Sequence, residues 1–454
     1  MELRSSIPAA ALDERDDEPR PGDGDGEFDW NDDLWAGARR DPMPAGADAV
    51  TIVLPRFTQE QEGEQRAARL LLREGLVLVA VAAFQAALAW RAAGVGTNVA
   101  DQTAMVKAGH QEIAHLLHGR HVIRYETVLP GSPVLYPVLA AALDSVGGMH
   151  AVRAVNLWLV LLATVGVHCT ARRLYGPVAG ALAAGLFAGL GPTLHLSVSG
   201  TYDAPAACLL VWAAFFAVRF AFADGRHAVW LVPVLMLAAN WTSYITVLWD
   251  PVILALVAFA GPGYRAWKTS RSWNAQRVAL VTGVLAEITL LVGRAPTFTG
   301  IATTVMNRSA AHATAGVVLR HGAQWLGPVL IAALLGTIVA GWRLWRGSVG
   351  RAEVGVWVTL LVAGLLAPLN QLRWHSLDGS VSHCALSGAF AAVAAGAFLA
   401  RLCSWAGRAG AAWRVVALGA MCAALVPLGL AGASQAATHT GSATKATRSV
   451  AGEG

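Results

Sequence analysis

The chain has 454 residues, of which 55% are hydrophobic and 14% charged, with a mean hydropathy of +0.50. An ordinary soluble domain carries about 25% charged residues, so the composition excludes a soluble globular enzyme or a nucleic-acid-binding module. It implies an all-α polytopic protein whose first partners are membrane lipids. The charge is split: Met1 to Arg73 hold 17 acids against 9 arginines, a net of −8, and the remaining residues carry +13.

Residues 1–73 include "DERDDEPRPGDGDGEFDWNDD", rich in Gly, Pro and Asp, with neither helical nor strand periodicity. Such a segment buries too little apolar area to offset the entropy of ordering. The expectation is a disordered, acidic cytoplasmic tail, in which Trp30 and Trp35 could form a short docking motif. The apolar run begins only near Leu76 and has no small-residue cleavage pattern. It is therefore an uncleaved anchor and not a signal peptide.

Residues 74–432 form the membrane domain. Stretches near the roughly 20 residues needed to cross hydrocarbon occur at about 75–93, 150–170, 177–199, 203–222, 242–260, 278–293, 325–345, 354–370, 384–402 and 415–432. A shorter one, 228–240, is separated from its successor by "NWTSY". The stretch "SPVLYPVLAAALDSVGG" is placed by the positive-inside rule. As a juxtamembrane helix it leaves "ARRLYG", "RFAFADGRH", "GYRAWKTSRSWNAQR", "WRLWRGSVGR" and "RLCSWAGRAGAAWR" on one side. About eleven spans follow, with the N-terminus cytoplasmic and a flexible tail, 433–454, outside. The outer face then receives a first loop at 94–149, "SGTYDAP", a loop at 294–324 and "NQLRWHSLDGSVSHC".

In the first loop, Lys107, Gln111, His115 and His118 share one helical face, and Val106, Ile113 and Leu117 another. That pattern describes an amphipathic helix in the interface. His110, His115, His118 and His121 invite a metal reading, but no Cys or paired carboxylate completes a set. A site needs three or more convergent ligands, so a divalent metal is only weakly supported and no metal ligand is assigned. Asp101 reads as a solvated loop carboxylate, as a helix N-cap, or as a functional group. Asp203, in "TYDAPA", is either an N-cap with Pro205 in the first turn or part of a site. Topology puts both on the outer side, with Arg120, Arg124, Arg373, His375 and His383 nearby. Acids and bases at one membrane face suggest a site for a lipid-linked anion.

The five cysteines, Cys169, Cys208, Cys384, Cys403 and Cys422, lie in or beside apolar runs without CxxC spacing. They read as small hydrophobes. The ratio of 31 Arg to 3 Lys, with high Ala, points to a GC-rich bacterium and hence to its plasma membrane.

The order of these pieces resembles the GT-C class of polyprenyl-phosphate-dependent glycosyltransferases, within it the protein O-mannosyltransferase and aminoarabinose transferase group, glycosyltransferase family 39 and its bacterial relatives. The resemblance rests on Asp101 with the following "AGHQEIAHLLHG", and on "PGSPVLYPVLAAALDSVGG" followed by "AVRAVNLWLVLLATVGVHCTARRLYG". Later it rests on "GLGPTLHLSVSGTYDAPAACLLVWAAFFAVR" and "APLNQLRWHSLDGSVSHCALSGAFAA". It implies a GT-C fold with juxtamembrane helices in the first outer loop. It also implies a polyprenyl-phosphate-linked sugar donor, a lipid, glycan or protein acceptor, and Asp101 as general base in an inverting displacement. Substrate-binding candidates are Tyr202, Asp203, His110 and Tyr136, with Arg120, Arg124, Arg373, His375 and His383 for the phosphate side. The family's Asp-Glu pair reads Asp101-Gln102 here, and no large C-terminal outer domain follows the last apolar run.

Two other classes fit the composition. A transporter would explain the helix count and the intramembrane carboxylates Asp250 and Glu287, although no inverted repeat is visible. A non-catalytic membrane subunit would explain Gln102.

Overall fold

The computed structural model describes residues 57–93, 99–119, 135–222, 228–260, 278, 281–283, 285, 313–377 and 379–408. In the last stretch it describes 410, 412, 413, 415–417, 419–421 and 423–434. Among these residues every long regular element is helical. The chain divides into a unit of residues 1–64 and a unit of residues 65–454, and the membrane domain belongs to the second.

Helix α1 (Phe57–Ala93) starts earlier than the acidic composition suggests. The segment "FTQEQEGEQRAARLLLRE" is built mostly from strong helix formers, so the helix continues from the apolar run back into the region assigned to the tail. α2 (Val99–His118) follows, then α3 (Leu135–Tyr175). α3 is two helices in one: Gly147 (φ −145°, ψ 21°) and Gly148 (φ 64°, ψ −167°) leave helical geometry. The left-handed φ of Gly148 is cheap only for glycine. A juxtamembrane piece therefore ends at Val146 and a span starts at Met149, as the sequence predicts.

α4 (Pro177–Gly189) and α5 (Gly191–Val198) were expected to be one span, and the structure breaks it by 65°. Leu190 between them is extended, and Pro192 opens α5 in its favoured first turn. α6 (Asp203–Phe222) returns antiparallel. Next come α7 (Ala228–Thr242), a 3-10 turn (Tyr244–Trp249) and α8 (Asp250–Phe259). The long helices α9 (Ala315–Trp345), α10 (Arg351–Trp374), α11 (Ser380–Arg408) and α12 (Val415–Ser434) complete the domain. Among the described residues seven helices are long and apolar enough to cross a membrane, or eight if the bent α4–α5 pair is one span. The chain is a multi-pass membrane protein. Of the expected span at 278–293 only residues 278, 281–283 and 285 are described, all helical, and Glu287 lies outside them.

α7 and α8, expected as two further spans, are shorter apolar helices than the others. Each rises from or returns to the end at which α6 finishes. Asn240 Nδ2 donates to Asp250 Oδ2 at 2.8 Å, and Thr246 Oγ1 donates to Asn240 Oδ1 at 2.7 Å, closing the turn. Trp249 Nε1 donates to Ala363 O, halfway along α10, at 3.2 Å. Phe259 then packs on Gly355, near the start of α10, where a Cβ would approach it to 2.8 Å. The pair is a helical hairpin whose two ends lie at the same end of the bundle.

α11 is the central helix, with Ser380 to Phe398 almost continuously buried. It packs backbone to backbone on α4, because a Cβ on Gly396 would lie 2.6 Å from Ala183 N. Ser387 of α11 splices into α10: its Oγ donates to Ala363 O at 2.9 Å and accepts from Ala367 N at 3.0 Å. Those two groups would bond each other in an unbroken helix, and Pro368 next to them has already weakened the ladder.

Two ends of the bundle follow. Arg172 NH2 pairs with Glu74 at 2.9 Å, joining the end of α3 to the membrane entry of α1. Arg343, Arg346, Arg351 and Arg401 share that end, here termed the basic face. Exposed Trp230, Trp342, Trp345 and Trp405 ring it, in the manner of an interfacial aromatic belt. α2, residues 199–202 and the start of α11 mark the opposite, loop face.

Candidate functional site

The loop face is assembled around the juxtamembrane half of α3. α2 lies against it so closely that a Cβ on Gly109 would sit 1.8 Å from Pro137 O. Met105, Val106, Tyr136, Ala140 and Val152 form the small apolar core beneath. This is the expected amphipathic arrangement, with Lys107, His115 and His118 exposed on the other side. Leu117 is exposed as well, because α3 covers only the first half of α2.

Three polar ties hold this corner. Arg153 Nε donates to Gln102 Oε1 at 3.1 Å, and Gln102 is 2% exposed. That oxygen lies against Gly200, where a Cβ would come within 3.2 Å. Asn156 Nδ2 donates to both Ser199 O and Thr201 O at 2.8 Å, while Tyr136 Oη donates to Asn156 Oδ1 at 3.2 Å. These bonds lash residues 199–202 to α3. Asp203 then opens α6, buried, with Ser382 of α11 beside its carboxylate. Asp203 Oδ1 is buried with no hydrogen-bond partner among the described residues.

Asp101 lies on the first turn of α2, next to Gln102, which brings its backbone to the same corner as Asp203. Its side chain, and all of Arg120, Arg124 and His121, lie outside the described residues. Tyr136 is deeply buried and spends its hydroxyl on Asn156, so it positions the corner from below. Tyr202 packs on the same apolar cluster. His110 points away and meets Asp144 at 3.2 Å on an exposed surface. On α10 and α11, His383 is buried and meets Gln371 at 2.9 Å. Arg373 is exposed, its guanidinium 4.8 Å over the Trp374 ring. His375 caps α10 in the left-handed region, φ 48°, with Nδ1 3.1 Å from Ala313 O. The structure thus gathers Gln102, Tyr136, Tyr202 and Asp203, puts His383 on the same helix turn as Ser382, and leaves Arg373 and His375 on the rim.

Arg153, Asn156 and Ser382 were not singled out from the sequence. Arg153 and Asn156 are polar residues one turn apart on an otherwise apolar helix, Ser382 is a small hydroxyl at the start of another, and such residues at membrane depth find internal partners. That was the signal available. Among the described residues no three His, Cys, Asp or Glu side chains converge as a metal site.

No family model and no curated protein matches the sequence. Solved structures do. The archaeal oligosaccharyltransferase AglB from Archaeoglobus fulgidus, in complex with an inhibitory peptide and a dolichol-phosphate, superposes with a TM-score of 0.53 at 15% identity. The match covers 80% of this chain and 56% of that one. The same oligosaccharyltransferase with Zn and sulfate gives 0.51 at 15% identity over 80% and 53%, and its apo form 0.52 at 14% over 80% and 56%.

The fold is GT-C. The chain spans little more than half the length of the structures it resembles. At this identity the likeness establishes the GT-C architecture alone.

Proposed function

We propose that the chain is an integral-membrane glycosyltransferase. It moves a sugar from a polyprenyl-phosphate donor to an acceptor hydroxyl of a lipid, glycan or protein, at the outer face of a bacterial plasma membrane. The observation that carries this reading is the loop-face corner of a GT-C fold. There Gln102 and Arg153 tie the first turn of α2, with Asp101, to the segment that delivers the buried carboxylate of Asp203. A fold neighbour solved with a dolichol-phosphate supports a lipid-phosphate donor. The N-terminus is then cytoplasmic, with the basic face inside.

The chemistry needs little machinery. A prenyl-phosphate sugar carries its own leaving group, so the protein deprotonates the acceptor, aligns it with the anomeric carbon and stabilises the departing phosphate. Asp101 is the base in a single displacement with inversion. Asp203 orients sugar hydroxyls through its buried carboxylate oxygen Oδ1, which has no hydrogen-bond partner among the described residues. Arg373 on the rim, with Arg120 and Arg124, receives the phosphate, for which guanidinium is the fitting partner.

The test is incubation of purified protein with labelled prenyl-phosphate mannose, arabinose and glucose, followed by a search for labelled product. Asp101→Asn is expected to abolish transfer with melting unchanged; retained turnover would remove Asp101 as the base. Transport of a solute into sealed vesicles with no lipid-linked sugar present would favour the transporter class instead.

A further inference from the structure

The junction of α3, α10 and α11 at the basic face holds three donor groups that are left unpaired. The Tyr175 hydroxyl, the Trp357 indole N–H and Arg401 Nη1 are each buried and have no hydrogen-bond partner among the described residues. Their side chains are in mutual contact: the rings of Tyr175 and Trp357 have centroids 5.1 Å apart, and the Arg401 guanidinium lies 4.8 Å over the Trp357 ring. Indole and guanidinium nitrogens only donate, so neither can satisfy the other. Trp357 is fully buried, its ring wedged where a Cβ on Gly336 would approach to 2.2 Å. Native proteins rarely leave three such groups unpaired in one place.

The charge is unbalanced in the same sense. Glu353 receives Arg401 through a short contact and Arg343 at 3.7 Å, so two guanidinium groups share one carboxylate. Their side chains remain partly open, 20% for Arg401 and 35% for Arg343, so the junction can be reached from the membrane surface. Arg346, which caps the end of α9 and stacks on Trp342 at 4.0 Å, adds a further cation at the basic face.

We propose that this junction binds the phosphate group of an anionic membrane lipid from the leaflet at the basic face. A phosphodiester offers only acceptor oxygens and one negative charge, which matches both deficits. A trapped water would fill hydrogen bonds but leave the charge. Basic pockets between transmembrane helices at this depth are suited to lipid head groups, and Arg pairs with phosphate through charge-assisted bonds. The site lies at the opposite end of the bundle from Asp203 and does not depend on the proposed reaction.

The experiment reads the melting shift and the lipid retained by the full-length protein, by native mass spectrometry, after exchange into phosphatidylcholine bilayers with or without phosphatidylglycerol. Phosphatidylglycerol should be retained preferentially and raise the melting temperature. Tyr175→Phe, which removes only the hydroxyl, should lower that retention roughly tenfold, as expected for one bond to a charged group. Trp357→Phe should do the same, and each variant should melt like the parent in phosphatidylcholine alone. Equal retention of the two lipids, or an unchanged phosphatidylglycerol effect in Tyr175→Phe, would overturn the proposal. So would an equal melting shift from inorganic phosphate alone, which would mark a free-anion site.

Discussion

Residue Asn156 sets the geometry of the loop face. It is 1% exposed, and its amide serves two carbonyls of residues 199–202 while Tyr136 serves its oxygen. Asn156→Leu strands those groups, at a cost of about 1–3 kcal/mol. The expected outcome is faster hydrogen exchange at residues 199–202 and a lower melting temperature; unchanged exchange there would show that other contacts hold the loop. Asp203→Asn keeps the shape of the side chain but loses the charge. Transfer should fall by roughly two orders of magnitude, as for removal of one electrostatic group from a site, with stability preserved. Arg373→Ala should weaken donor binding about tenfold, measured by competition with a prenyl phosphate. Of these residues the sequence made Asp203 and Arg373 visible, because a charge near an apolar span has few bland explanations. Asn156 and Arg153 stayed invisible. Their importance comes from partners 43 and 51 residues away, and no local spacing encodes those contacts.

At the level of elements, the sequence made plain what local chemistry decides. Gly147 and Gly148 separate the juxtamembrane helix from its span because two adjacent glycines permit geometry that other residues resist. The break at Leu190 was missed: the run 177–199 is evenly apolar, and hydropathy averages over a bend. Contacts hold that bend, since a Cβ on Gly432 of α12 would lie 2.4 Å from Gly189 O. Helix association in membranes depends on such small-residue approaches and on internal hydrogen bonds. Gln85 of α1 supplies the latter, accepting from Thr164 Oγ1 at 2.7 Å while fully buried. Ser387→Ala withdraws both bonds that splice α10 to α11 and should cost about 1–3 kcal/mol. Thermal unfolding in detergent checks it, with Ser387→Thr expected to recover part of the loss.

At the scale of the whole molecule, composition announced a membrane protein and the order of its polar islands suggested the GT-C fold. Among the described residues seven or eight helices are long and apolar enough to cross, and apolar length by itself does not distinguish a helix that crosses from one that turns back. Sidedness is directly measurable. In a cysteine-free background, Ser348→Cys at the basic face and His118→Cys at the loop face, both exposed, should react with an impermeant thiol reagent from opposite sides of a sealed vesicle. Labelling of both from one side would reject the arrangement.

The hairpin of α7 and α8 bears on that experiment. A segment that enters and leaves through the same surface adds nothing to the parity of crossings, whatever its depth. Lengthening or shortening its turn around Ser243 would leave the compartment of every later loop unchanged. The turn, closed by the bond from Asn240 to Asp250, is therefore a place where sequence can drift without inverting the protein.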